Sequence, residues 1–475
     1  MKTEGLTCRS LTEGYLHRIE AYDRKAPSLK AVILVNPKAL KEAEELDRIY
    51  REKGPIGPLH GIPVLLKDNV ETGDMVTTSG SLSLKNYLPD RDAFLTKKLR
   101  EAGALILAKA NMHEFAIWGE SVSSILGQVL NPYDLTRTPG GSSGGTGAGI
   151  AANFAAVGIG TDTVNSIRSP ASACGCVGIR PTVGLVSRKG IAPYSLDQDT
   201  AGPICRTVED AATVLGIISG YDPEDPETAW SVGNRPTPYT AYLCGEGLVR
   251  KRIGVLRSLF GDGKQHEEVN AAMERSLRAM KDGGTVLVEL EEAIDTNELT
   301  SKVSLHLHTL KDDLEGYLKK LGPIAPFNTL TKLLESGKIH PGIVENLKTA
   351  NGLSKNSDEY RSRTLKRLEL RTQVMKLMAD HELDALVYPH QKRLAVPVGE
   401  SQVERNGVLG SVTGFPSIAL PAGFSAPTET APVGVPIGLE VLGRPWSEGV
   451  LIAIAYSFEQ RTRYRKPPLS TPPLG

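Results

Sequence analysis

The chain has 475 residues, with 55 basic and 55 acidic side chains and a formal net charge of zero. That balance gives no electrostatic case for nucleic acid or an anionic membrane as partner. Length alone allows about three average domains, although large α/β enzymes often form one unit.

The opening Met1-Lys2-Thr3-Glu4-Gly5 has no apolar h-region, and no stretch of ~18 uninterrupted apolar residues occurs. The expectation is a cytoplasmic protein without a signal peptide or spanning helix. Five cysteines, an odd and sparse set, fit a reducing compartment better than a disulfide scaffold.

The first elements read as helical. Asn36 is placed to cap a helix with Pro37 at its first position, and Gly54 to stop it. Leu40, Ala43, Leu46 and Ile49 follow the helical period. Val64 to Lys67 reads as a short buried strand, Asp92 to Ala102 as a helix ended by Gly103, and Leu105 to Ala108 as a second strand. A turn rich in glycine and serine, Pro139 to Thr146, leads into small apolar residues that predict a helix from Thr146 to Ala156. Val157 to Gly160 is the next strand, and Thr207 caps a helix with Asp210 at its third position and Gly220 behind it.

Strands alternating with helices argue for an α/β sheet covered on both faces. Arg252 to Leu256, a helix from Glu267 to Lys281, and Thr285 to Leu290 make a further strand–helix–strand unit. Residues from about 299 to 382 are charged and helical, with little strand signal. Leu383 to Tyr388 and Ile437 to Leu442 read as core strands, Glu448 to Gln460 as a closing helix, and the tail from Lys466 as irregular.

Three positions carry the chemistry. Lys67 ends the apolar run Val64-Leu65-Leu66, where desolvation favours a neutral amine able to act as a base. Ser142 lies in Gly140-Gly141-Ser142-Ser143-Gly144-Gly145, and Ser166 follows the Val157–Gly160 strand on a tight turn. A serine is a weak nucleophile unless a base takes its proton, and glycine lets backbone N–H groups crowd a reacting atom. The Gly-Ser run lacks the G-x-x-x-x-G-K-[ST] pattern of a phosphate loop.

In this order and spacing, Lys67, the double serine and Ser166 resemble the amidase signature family, whose machinery is a Ser–Ser–Lys triad. The resemblance runs from about Leu11 to Asp222 and resumes from about Leu383 to Gln460, through Thr413-Gly414-Phe415-Pro416 and Pro436 to Pro445. It implies one large α/β domain over 1–475, a central mixed β-sheet covered by helices on both faces, with a variable helical covering segment at about 299–382.

It also implies site roles. Ser166 is the nucleophile, Ser142 the bridging serine after a cis peptide, and Lys67 the base. The backbone N–H groups of Thr163, Val164, Asn165 and Ser166 form the oxyanion hole. Ser143 supplies a supporting hydrogen bond, and Asp162 and Arg168 hold the turn. Phe115, Ala116, Ile117 and Trp118 align with a segment lining the acyl channel. His113 replaces an acidic residue common in the family and receives no role.

One departure stands out. Most relatives have Gly-Gly before the nucleophile, where this chain has Val164-Asn165. Asn tolerates positive φ and Val does not, so Asn165 is expected to keep the turn and Val164 to take an ordinary backbone angle. The two added side chains bear on the acyl pocket, with Asn165 a possible substrate contact.

The activity implied is amide hydrolysis through an acyl-enzyme on Ser166. Carbamate or ester hydrolysis by the same triad is the alternative. An A-type amidotransferase subunit of a larger complex is disfavoured by Val164-Asn165, and a catalytically dead binding protein by retention of all three triad residues. No cofactor and no metal are expected. The partners expected are a small amide or carbamate substrate and, at most, a second copy of the chain. Cys174-Gly175-Cys176 lacks a matching second pair and reads as core packing, and His306 and His308 lack further ligands in the sequence.

Overall fold

The computed structural model describes residues 5–322 and 327–474. Met1 to Glu4 of the expected leaderless start, and 323–326 of the covering segment, lie outside the described residues.

The strands are β1 (Val32–Val35), β2 (Pro63–Lys67), β3 (Leu105–Ala110), β4 (Val122–Ser123), β5 (Gly127–Gln128), β6 (Val157–Asp162), β7 (Val177–Arg180), β8 (Thr200–Cys205), β9 (Arg252–Leu256), β10 (Val286–Leu290), β11 (Ala385–Pro389), β12 (Ser417–Phe424) and β13 (Pro436–Leu442). Eleven of them form one sheet in the order β1-β3-β2-β6-β8-β7-β12-β13-β11-β9-β10, and β4 and β5 form a separate hairpin. The sheet is mixed. β3, β2 and β6 run parallel to one another, as do β11, β9 and β10, while β8, β7, β12 and β13 pair antiparallel.

Apolar side chains cover both faces. On β2, Val64 and Leu66 join one core cluster and Leu65 joins another, as strand alternation requires. The first cluster packs under the helices Val208–Ile218, Glu267–Asp282 and Glu448–Thr462. The second lies under the N-terminal helices and Gly144–Ala151. The helix Gly144–Ala151 sits very close to the strands. A Cβ at Gly158 would stand 2.6 Å from the Thr146 side chain, and one at Gly145 would stand 2.2 Å from the Asn111 carbonyl oxygen. Only glycine permits that approach.

The Thr207 cap is as expected, whereas the helix expected to start at Pro37 behind an Asn36 cap starts at Ala39 behind Lys38, because Pro37 and Lys38 form a turn before it. The Asn36 carboxamide accepts from Lys38 N at 2.8 Å ahead of Ala39–Lys53, and Thr207 Oγ1 accepts from Asp210 N at 3.1 Å. Two helices are shorter than expected. The Thr146–Ala156 prediction becomes Gly144–Ala151, because its glycines enter the helix and Asn153 (φ 62°) turns left-handed beyond it. The Asp92 start moves to Phe94, because the Asp92 carboxylate instead accepts from Gly73 N and meets Arg100.

Helices from His306 to Asp380 form a cover. Leu310, Leu314, Tyr317 and Ile343 pack there with Met112, Phe115, Ile117 and Tyr194. Among the described residues no helix is long and apolar enough to cross a membrane.

Candidate active site

β2 and β6 are parallel neighbours, so Lys67 at the end of one and Asp162 at the end of the other meet at a single sheet edge. Open α/β sheets bind ligands at the carboxyl ends of such strands. Lys67 is fully buried. Its Nζ lies 2.7 Å from Ser142 Oγ, 2.8 Å from Thr161 Oγ1 and 3.5 Å from the Thr161 carbonyl oxygen. Burial pulls the amine down to about 7, against the upward push of Asp162 and Asp199.

The Gly141–Ser142 peptide is cis, and Gly140 at φ 72° supplies the left-handed turn before it. Ser142 O accepts from His113 N at 2.9 Å, and Ser143 N donates to Ser166 O at 3.3 Å, which ties the two serine turns together. Ser143 Oγ donates to Thr161 O at 3.2 Å.

Ser166 stands in the turn between β6 and the helix Arg168–Ala173, 5 % exposed, at the wall of a cavity of about 420 Å³. Among the described residues its hydroxyl has no protein hydrogen-bond partner. The backbone N–H groups of Thr163, Val164, Asn165 and Ser166 likewise have no partner among the described residues, and these four residues line the cavity. Ile167 N, next in line, is taken by Asp162 Oδ2 at 3.0 Å. Successive free N–H donors are suited to an oxyanion.

A buried ionic network underlies this turn. Asp162 accepts from Arg168 Nε at 3.1 Å and Arg180 Nη1 at 2.8 Å. Burial opposes its ionisation, but the two guanidinium groups outweigh it and hold the carboxyl well below the usual range. Arg168 also donates to Val164 O at 2.8 Å and to Glu440 on β13. Glu440 further accepts from Tyr388 at 3.0 Å and pairs with His390 Nδ1 at 2.7 Å. Burial works against this carboxylate too, yet Arg168 and His390 bring it down to about 2.

Val164 and Asn165 both take ordinary negative φ. Val164 therefore behaves as expected, whereas the left-handed tolerance of Asn165 is not used. The Asn165 backbone instead accepts from Ser169 N at 2.7 Å. Its side chain is 2 % exposed, and its Nδ2 is unpartnered.

The four residues Phe115, Ala116, Ile117 and Trp118 divide. Ala116 and Trp118 line the cavity, and Phe115, Ala116 and Ile117 pack into the cluster beneath the cover. Phe115, Ala116 and Trp118 take positive φ, which makes this segment irregular. Phe115 and Ile117 are buried in that cluster and are not among the residues lining this cavity.

Residues outside the expected set complete the site. Thr161 Oγ1 accepts from Lys67 and from Asn69 Nδ2 at 3.2 Å. Asp199 accepts from Thr163 Oγ1 at 2.6 Å, and burial raises its carboxyl to about 6. Threonine at a strand end carries no sequence signal for this role. Cys174 and Cys176 are buried in the apolar core with their thiols toward the Pro139 and Gly147 carbonyls. Among the described residues no group of three His, Cys, Asp or Glu is placed to hold a metal ion.

Comparison with known proteins gives the same frame. A model of the amidase family matches residues 10–452. The chain is 36 % identical to a probable amidase of Arabidopsis thaliana, over 98 % of this chain and 88 % of that one. It is 32 % identical to the A subunit of the glutamyl-tRNA(Gln) amidotransferase of Thermoanaerobacter pseudethanolicus, over 98 % and 96 %. The crystal structure of peptide amidase from Stenotrophomonas maltophilia superposes with a TM-score of 0.87 at 39 % identity, covering 98 % of this chain and 95 % of that one. Fold and relatives define an enzyme of amide C–N bonds, of the hydrolase or amidotransferase type. The chain belongs to the amidase signature family.

Proposed function

We propose that this protein hydrolyses a carbon–nitrogen amide bond through an acyl-enzyme on Ser166, with Ser142 as proton relay and Lys67 as base. The observation carrying this reading is the 2.7 Å contact between Lys67 Nζ and Ser142 Oγ, beside a cavity walled by Ser166 and four unengaged N–H donors. A neutral amine keeps its two protons for the Thr161 oxygens and turns its lone pair to Ser142. Ser166 Oγ attacks the carbonyl carbon while its proton passes to Ser142 and the Ser142 proton passes to Lys67. The oxyanion gains the N–H donors of Thr163 to Ser166; one such donor is worth roughly 2.7–4 kcal/mol in a dry site. The C–N bond then breaks, the amine leaves with the proton returned through Ser142, and water repeats the sequence on the ester.

Asp162 and Arg168 act here as positioning residues for the turn, and Ser143 supports Thr161. The 299–382 stretch is a variable cover whose side chains shape the cavity. Carbamates and esters present the same carbonyl to the same groups and form the second reading, to be separated by a panel of amides, esters and carbamates. An A-type amidotransferase subunit would need partner chains, whereas the proposed enzyme works as a cytoplasmic monomer or homodimer. Size-exclusion and pull-down distinguish the two.

The test is covalent. A sulfonyl fluoride should add one label, mapped by mass spectrometry to Ser166, and Ser166→Ala should abolish turnover while remaining folded. A single label on any other residue would sink the assignment.

A further inference from the structure

We propose that His306 determines specificity: its Nε2, held as a hydrogen-bond acceptor in one tautomer, selects substrates that carry an N–H donor on the part that lies in this cavity. The inference rests on the amidase reading above.

The tautomer follows from counting protons. Gln198 is fully buried, and its Oε1 accepts from Leu305 N at 2.7 Å while its Nε2 donates to Thr163 O at 3.2 Å. A backbone N–H can only donate and a carbonyl can only accept, so the carboxamide cannot be flipped. Ser304 Oγ lies 3.1 Å from that same Oε1 and must give it its single proton. The 2.6 Å contact between Ser304 Oγ and His306 Nδ1 then has only one solution: Nδ1 carries the proton and Ser304 accepts. Burial and the nearby Arg363 pull the imidazole down to about 4, so the ring is neutral at ordinary pH. Nε2 is left with a lone pair and, among the described residues, with no protein partner.

Place and orientation are fixed as well. His306 lines the cavity that Thr163, Val164, Asn165 and Ser166 also line. Its ring stands edge-on to Tyr194, with centroids 5.4 Å apart. Gln198 bridges Thr163 to Ser304 and Leu305, so the imidazole is registered against the turn that holds the N–H donors. A donor on the substrate finds a prepared acceptor, whereas an ether or ester oxygen at the same point sets two lone pairs against each other.

The experiment compares N-acetylphenylalaninamide with the analogue in which an ester oxygen replaces the acetylated N–H, following ammonia release from the identical scissile amide. The wild type should prefer the N–H substrate by about 10-fold in kcat/KM. His306→Phe keeps a ring against Tyr194 but has no acceptor, and should erase that preference through KM, with the N–H substrate weakened and the ester analogue no longer penalised. His306→Gln restores an acceptor and should recover part of it. Nitrogen-15 NMR of the imidazole should show the Nδ1–H tautomer, with an Nε2 resonance that moves on binding the N–H ligand. Equal loss on both substrates, an unchanged preference, or an Nε2–H tautomer would overturn the inference. Sulfonyl labelling of Ser166 separates the two levels. If labelling is normal and the preference does not depend on His306, this inference alone fails. If Ser166 is not labelled, the amidase reading fails and the inference with it.

Discussion

Lys67 Nζ and Ser142 Oγ meet at 2.7 Å in a fully buried position, and under the proposed mechanism that contact sets the pH behaviour. In that mechanism the active form of Lys67 is the neutral one. Burial lowers its value to about 7, so below that pH the amine is charged and cannot accept a proton. The ratio kcat/KM should rise through pH 7 and level off above it. Lys67→Ala should cost about 10⁴-fold, because the serines lose their base. Lys67→Arg should not rescue it, because a guanidinium stays protonated. Near wild-type kcat/KM in either variant, with the same acid limb, would place the base elsewhere.

Thr161 holds the amine in that position. In Thr161→Val the charged form loses an acceptor at 2.8 Å, so the acid limb should move to lower pH. The plateau rate should fall about 10-fold, as Nζ is no longer aimed at Ser142. A pH–rate profile reads both effects, and an unchanged profile would remove Thr161 from the site.

Asp162 serves stability. It is shared by Arg168 and Arg180, all three fully buried. Asp162→Asn leaves two guanidinium groups short of their counter-charge and should destabilise the fold by about 3–5 kcal/mol, measured by urea unfolding. The sign with pH follows from its lowered folded-state value. The stabilisation is complete above the unfolded carboxyl range, about 3.9, and is lost as pH falls through the lower folded value. Wild type and Asp162→Asn should therefore converge in acid. A constant difference in stability from neutral to strongly acid pH would show that the charge is not what stabilises the turn.

Val164 and Asn165 should govern the choice of acyl group. Both line the cavity, and both use backbone angles open to any residue. Replacing the pair with glycine keeps the N–H donors and removes two side chains. Turnover should persist while the ranking of acyl groups changes across a panel. An identical ranking would mean that neither side chain reaches the substrate.

The chemistry and the scaffold were legible to different degrees. A lysine ending an apolar run, a double serine among glycines and a serine after a strand are local patterns, and the structure brings Lys67, Ser142 and the Ser166 turn to one sheet edge. Local reading assigned no element where the fold overrode propensity. Thr200–Cys205 contains Gly202 and Pro203, which argue against a central strand, yet it pairs on both sides between β6 and β7. Burial of the neighbouring faces decides it, since the sheet there has no solvent side to refuse.

The second buried lysine, Lys109, follows the apolar run Leu105-Ile106-Leu107-Ala108 and received no reading from the sequence, although it donates to Thr77 Oγ1 at 2.8 Å in the core. Thr161, Asp199 and the Gln198–Ser304–His306 chain were invisible for a simpler reason. Thr161, Asp199 and Gln198 each act through hydrogen bonds to residues tens of positions away in sequence. The sequence alone determined which residues are able to do acyl chemistry, because nucleophile, base and glycine turn are properties of residue type and immediate neighbours. Strand register and the docking of the cover decided which polar groups meet them, because hydrogen bonds reach about 3 Å and only the packed chain brings distant residues that close.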